Sequence, residues 1–172
     1  MSTALLIGTA ACSGSDKKAD SATTPQGQSS DKPADPQLAD IPAAQVVTGL
    51  SSAGYTCGTE GTYAICTAET MSVWVLTGAH KRPPVVSLHA TGPLAAATAE
   101  IEKKLPQVLE AAHINPRTEI SEWVSQLAGK PTAQLVAGDW QVDWSTEVVD
   151  TDEPGAHLTL VDKLCTVNCQ AE

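Results

Sequence analysis

Apolar side chains recur from residue 41 onward with two periods, one typical of helices and one typical of strands. The first helical stretch follows Asp40, which is placed to act as its N-cap, and ends before Gly54, a residue favoured just after a helix. One face of this predicted helix carries four apolar side chains, namely Val46, Val47, Leu50 and Ala53.

A hairpin is predicted directly after this helix. The stretch from Tyr55 to Cys66 turns around Glu60-Gly61, and a turn centred between Gly61 and Thr62 sets Cys57 opposite Cys66. A disulfide across the hairpin is therefore geometrically reasonable.

Two further strands and two helices follow the hairpin. Residues 71–77 are apolar on both faces, as in a central strand, and residues 85–90 return the chain. A helix opens at residues 91–93, and Pro106 is expected to kink or divide it because proline removes a backbone donor. Asn115 and Pro116 are predicted as the N-cap and first residue of the next helix.

The last third of the sequence has the strand period again. Residues 134–137 and 157–161 are predicted strands rich in apolar side chains, and between them Trp140, Val142 and Trp144 alternate with polar residues. The predicted order is one helix, about four strands, two helices and about three strands. This order predicts an α+β domain over residues 41–172, with an antiparallel sheet, helices packed on one face and a tandem α-β arrangement.

The N-terminal 40 residues have a different composition. Residues 13–40 are mostly polar or small, which predicts a disordered tether, and residues 4–11 form a short apolar stretch that ends in small residues before Cys12. The sequence Gly8-Thr-Ala-Ala-Cys12-Ser-Gly-Ser-Asp with its polar tether resembles the N-terminus of actinobacterial cell-envelope lipoproteins. It departs from that pattern at Thr9, where leucine is usual, and its leader is short, so we expect a longer leader upstream.

This resemblance implies that residues 1–12 are a signal with a lipobox and that Cys12 carries the lipid. The protein would then be anchored on the extracytoplasmic face of the cell membrane. The alternative is a free cysteine in a frayed terminus.

Four cysteines remain once Cys12 is set aside, and four allow three disulfide pairings. We favour the two local pairs, Cys57–Cys66 and Cys165–Cys169, which would brace the domain. The competing interpretation is a metal or redox site, but neither spacing is that of a CxxC redox motif or a zinc ribbon. An exported protein favours structural disulfides.

The charge balance excludes one class of partner. With 20 acidic and 10 basic residues the net charge is −10, whereas a nucleic-acid binder concentrates Lys and Arg. Acidic residues cluster after Gly138 and include Asp143, Asp152 and Glu153. They could bind calcium or a cationic partner, but we favour a solvated surface, because the twelve-residue calcium-loop spacing is missing.

Tryptophans and one basic cluster are the other candidate interaction residues. Trp140 and Trp144 lie on one strand face and form either core or an aromatic recognition strip, of which core is favoured. Trp74 and Trp123 are expected to be buried. His80, Lys81 and Arg82 form the basic cluster, which could contact anionic headgroups or wall polymers.

Catalytic motifs are missing from the sequence. It has no G-x-S-x-G, phosphate-loop, dinucleotide-binding or H-E-x-x-H pattern, so we predict no catalytic residue, metal or cofactor. The favoured function is a non-catalytic binding domain for an envelope protein or wall component. The alternatives are an inhibitor of a secreted enzyme, acting through the turn at Glu60-Gly61 or at 152–155, and an envelope hydrolase whose site has no motif.

Overall fold

A computed structural model describes residues 40–146 and 154–170, and within them the elements follow the predicted order. In chain order these are α1 (Ala43–Ser52), β1 (Thr56–Glu60), β2 (Tyr63–Ala68), β3 (Met71–Leu76), β4 (Val85–Thr91), α2 (Leu94–Ala111), α3 (Arg117–Val124), β5 (Thr132–Ala137), β6 (Trp140–Ser145) and β7 (Gly155–Asp162). In these two ranges no helix is long and apolar enough to cross a membrane.

The strands form a single sheet in the order β1-β2-β3-β4-β7-β6-β5, and every neighbouring pair is antiparallel. It consists of two meanders, β1–β4 and β5–β7, which join where β4 pairs with β7. Each meander follows one or two helices in the chain, so the predicted α+β fold with its tandem α-β order is confirmed.

The core lies between the helices and one face of the sheet. Alternate residues of each strand point toward the helices, and Leu88 on β4 and Leu158 on β7, which are paired in register, are both fully buried there. Helix α2 lies over β3, β4 and β7 and contributes a continuous apolar stripe, namely Ala97, Ile101, Leu105, Val108 and Leu109. Burial of this stripe is the main stabilising contribution of the helix.

Two expected helix starts are wrong. Helix α1 begins after Pro42 rather than at Asp40, and α3 begins after Pro116, one residue later than predicted from Asn115. Both N-cap prolines have extended backbone and no side-chain cap. Helix α2 is not divided at Pro106, and its buried stripe extends on both sides of the proline and offsets the lost hydrogen bond.

The predicted hairpin and both favoured disulfides are confirmed. Strands β1 and β2 pair Cys57 with Cys66, and Gly61 has a φ of 56° at the first loop position, which a type II′ turn reserves for glycine. The Cα atoms are 4.0 Å apart in Cys57–Cys66 and 5.7 Å apart in Cys165–Cys169. The first disulfide therefore ties an edge strand to its neighbour, and the second closes a small loop after β7.

Candidate functional site

The sheet face opposite the helices, called the open face below, carries the other alternate residues of the seven strands. Its side chains are mostly hydroxyls, amides, rings and aliphatic groups. Within the described strands the face has two carboxylates, Glu60 and Asp143, and no Lys or Arg. The open face is thus polar but nearly uncharged, although the chain as a whole carries a net charge of −10.

Four rings cross adjacent strands on this face and form what we call the ring row: Tyr63, Trp74, His89 and His157. Tyr63 meets Trp74 edge to face at 5.7 Å between centroids, and Trp74 lies 5.1 Å from His89. His89 is directly opposite His157 in the β4–β7 register, and their rings stack at 3.9 Å. The four rings are half-buried, because each one shields its neighbours.

Hydroxyl groups beside the ring row hold two of its rings, Trp74 and His157, in place. The indole Nε1 of Trp74 donates to the Ser72 hydroxyl at 2.9 Å, and His157 Nε2 lies 2.9 Å from the Thr159 hydroxyl. Ser87 in turn donates to Thr159 at 3.4 Å. These two rings are therefore fixed before a ligand binds, which lowers the entropic cost of binding.

Both imidazoles are uncharged at neutral pH. Burial, together with the charge of neighbouring His157, lowers the pKa of His89 to about 4. Burial also lowers the pKa of His157. The ring row therefore presents neutral polar edges to a ligand.

The open face is better suited to binding than to catalysis. Thr159 and His157 are close enough to act as a hydroxyl–base pair. They lie, however, on β7, which is hydrogen-bonded to a strand on each side. Its backbone N–H groups are used in those ladders and are not free to stabilise an oxyanion.

Arg82, from the predicted basic cluster, is a structural residue. Its Nε and Nη2 donate to the two carboxylate oxygens of Asp162 at 2.8 and 2.6 Å, and its guanidinium lies 5.0 Å from the centroid of the Trp140 ring. Asp139 lies 3.5 Å from the same guanidinium and Asp40 3.9 Å. Lys81 is exposed and His80 half-buried beside a charged cleft of about 490 Å³.

Asp162 is occupied by these contacts. Burial acts to raise the pKa of its carboxyl, but hydrogen bonds from Arg82 and from the Leu164 N–H, with the charge of Arg82, outweigh burial and lower it. Asp162 is therefore a fixed anion that holds Arg82, and it is not available as a general base in the cleft.

Two of the four tryptophans are as buried as expected, and the other two are less buried. Trp140 and Trp144 are 1% and 2% exposed on the helix side of β6, so the favoured core assignment is confirmed and the alternative of a recognition strip is wrong. Trp74 and Trp123 were expected to be buried, and both are only partly buried. Trp74 points to the open face of β3, and Trp123 on α3 is partly buried against the core.

The remaining predicted site residues are not brought together. Asp143 lies on the open face, where the side-chain amides of Gln134 and Gln141 donate to it at 2.6 and 2.8 Å. Cys12, Asp152 and Glu153 lie outside the described residues. Among the residues that are described, no group of three or more His, Cys, Asp or Glu is arranged to hold a metal ion.

No family model, curated protein or solved structure matches this chain. The function of the domain is therefore inferred from its own residues.

Three residues of the ring row, Tyr63, His89 and His157, were not predicted from the sequence. Their only signal in the sequence is that each ring alternates with small or aliphatic neighbours in a strand.

Proposed function

We propose that this chain is an exported lipoprotein, anchored in the cell membrane through a lipid on Cys12, whose α+β domain binds a component of the cell envelope without chemistry. The lipobox-like residues 8–12 and the polar stretch after them support the anchor. Two disulfides support an oxidising compartment outside the cytoplasm.

The observation that carries the binding role is the ring row on an open face with almost no charge. Rings provide contact area at low entropic cost, and the surrounding hydroxyl and amide groups provide hydrogen bonds. An anionic ligand is disfavoured, since Asp143 and Glu60 are the charged side chains on the described part of this face. We therefore favour a neutral, hydroxyl-rich wall component over a charged one.

The binding role is tested with Trp74→Ala and purified insoluble cell wall. We expect the apparent affinity of the protein for the wall to fall at least about fivefold, because loss of an aromatic anchor typically costs more than about 1 kcal/mol. The matched control is Trp123→Ala, which removes a second partly buried tryptophan, this one on the helix side of the sheet. Circular dichroism checks that both variants fold, and equal wall binding by the two variants would refute the role of the open face.

The anchor is tested separately with Cys12→Ala in the native host. The wild-type protein should fractionate with membranes and carry the mass of acyl chains on Cys12, and the variant should lose both properties. A wild-type protein without added lipid mass would contradict the anchor and leave the binding role to stand on the wall assay.

A further inference from the structure

Strand β5 is an edge of the sheet, and no described strand pairs with its outer side. It is last in the strand order, and its six residues, Thr-Ala-Gln-Leu-Val-Ala, contain no charge, proline or glycine. The opposite edge, β1, is shorter, contains Gly58 and Glu60, and is cross-linked through Cys57. Sheet edges are usually protected against pairing by charges, prolines or bulges, and β5 has none of these.

The backbone groups of β5 that point outward can be identified. Pro131 lies opposite Thr146 at the end of the β5–β6 ladder, and the N–H of Thr146 donates to the carbonyl of Pro131 at 2.9 Å. These two residues are therefore a hydrogen-bonded pair of the ladder. Because such pairs alternate along an antiparallel ladder, the N–H and C=O of Thr132, Gln134 and Val136 point away from β6. All three side chains are exposed, and Val136 is 52% exposed.

We propose that β5 pairs antiparallel with β5 of a second copy of this chain, which joins two seven-stranded sheets across a two-fold axis at Leu135. In this register Gln134 of each copy lies opposite Val136 of the other. The backbone N–H and C=O groups of both residues point outward, so the two residues exchange backbone hydrogen bonds. Leu135 faces Leu135 of the second copy on the helix side, where the leucine is only partly buried in a single copy.

The distribution of charge around β5 favours a second copy of this chain as the partner that pairs with this edge. The strand itself is neutral, so two acidic chains can approach there without placing like charges in contact. The same register brings Lys130 of one copy to the end of the ladder that carries Asp139 of the other, and symmetry repeats this pairing. Because an edge pair is a small interface, we expect dissociation constants between about 10 μM and about 1 mM.

Sedimentation equilibrium of the full chain, from micromolar to about millimolar concentration, tests the dimer. The wild type should move from monomer to dimer mass over this range. Val136→Pro should raise the dissociation constant at least about tenfold, since it removes an outward donor without breaking the ladder to β6. Val136→Thr keeps both the N–H and the branched side chain and should stay within about threefold of the wild type.

A cross-link tests the register. In a Cys12→Ser background, oxidised Leu135→Cys should form a covalent dimer, whereas Thr132→Cys should not, because the register places it far from its own copy. A wild type that stays monomeric at millimolar concentration overturns the proposal. A Val136→Pro variant that dimerises as the wild type does overturns it as well, and melting curves confirm that the variants fold.

Discussion

Replacing Arg82 by methionine is expected to lower the free energy of unfolding by about 3 kcal/mol, because breaking a buried ion pair leaves an uncompensated charge. The residue left behind is Asp162, which is 8% exposed and loses both of its hydrogen bonds from the guanidinium. Methionine keeps an unbranched aliphatic chain, so the loss reports mainly on the guanidinium, through its charge, its hydrogen bonds and its contact with the Trp140 ring.

Urea denaturation at neutral pH measures this effect, and the neighbouring Lys81→Met is its matched control. Lys81 is exposed, so its replacement should change the free energy of unfolding by no more than about 0.5 kcal/mol. Adding Asp162→Asn to Arg82→Met should recover part of the loss, since the amide is neutral and still accepts from the Leu164 N–H. If Arg82→Met is no less stable than Lys81→Met, Arg82 is not the structural residue described above.

The distance in sequence between Arg82 and Asp162 explains why this pair could not be predicted. They are 80 residues apart, and they meet only because β4 and β7 pair at the centre of the sheet. From the sequence, Arg82 belongs to a basic cluster with Lys81. The role of each residue in the cluster depends on the fold, which pairs Arg82 with Asp162 and leaves Lys81 exposed to solvent.

Local features were predicted well because their geometry is set within a few residues. The β1–β2 turn length determines that Cys57 faces Cys66, and the alternation on β6 places Trp140 and Trp144 on the same face. Helix starts were less predictable. Asp40 has the chemistry of an N-cap, yet it lies near Arg82 while Pro42 starts the helix.

The ring row depends on strand order, which no local pattern encodes. His89 and His157 are neighbours because the second meander joins the first through β7, and Trp74 reaches them diagonally from β3. Residues 71–76 are apolar enough to predict burial on both faces. One of these faces is the open face, so Trp74 became part of the candidate site rather than of the core.

The stacked histidines predict that the domain loses stability in acid. The folded state keeps His89 neutral down to a pKa of about 4, whereas in the unfolded chain its pKa is 6.5. Between these values the unfolded state binds more protons, so stability falls as the pH drops from about 6.5 toward 4. At pH 4 the loss from His89 alone is about 3 kcal/mol, and His157, whose pKa is also lowered, adds to it.

The described side chains around the stacked histidines are uncharged or already hydrogen-bonded. Trp74, Ser87 and Thr159 are uncharged, and the nearest carboxylate on the neighbouring strand β6, Asp143, is hydrogen-bonded by two amides. None of these contacts gives a protonated His89 an ion-pair partner. Among the described residues, an added proton on His89 therefore meets burial and the charge of His157 without a compensating carboxylate.

Urea unfolding of the wild type and of His89→Gln between pH 7.5 and pH 4 measures this effect. The variant loses ring contacts and starts from a lower free energy of unfolding at neutral pH. Its free energy of unfolding should, however, change less steeply with pH, by a slope that corresponds to at most one bound proton. His157→Gln should raise the pKa of His89 in an NMR titration, because it removes the neighbouring charge. If the wild type and His89→Gln lose stability in parallel, the histidine stack is not the acid-sensitive part of the domain.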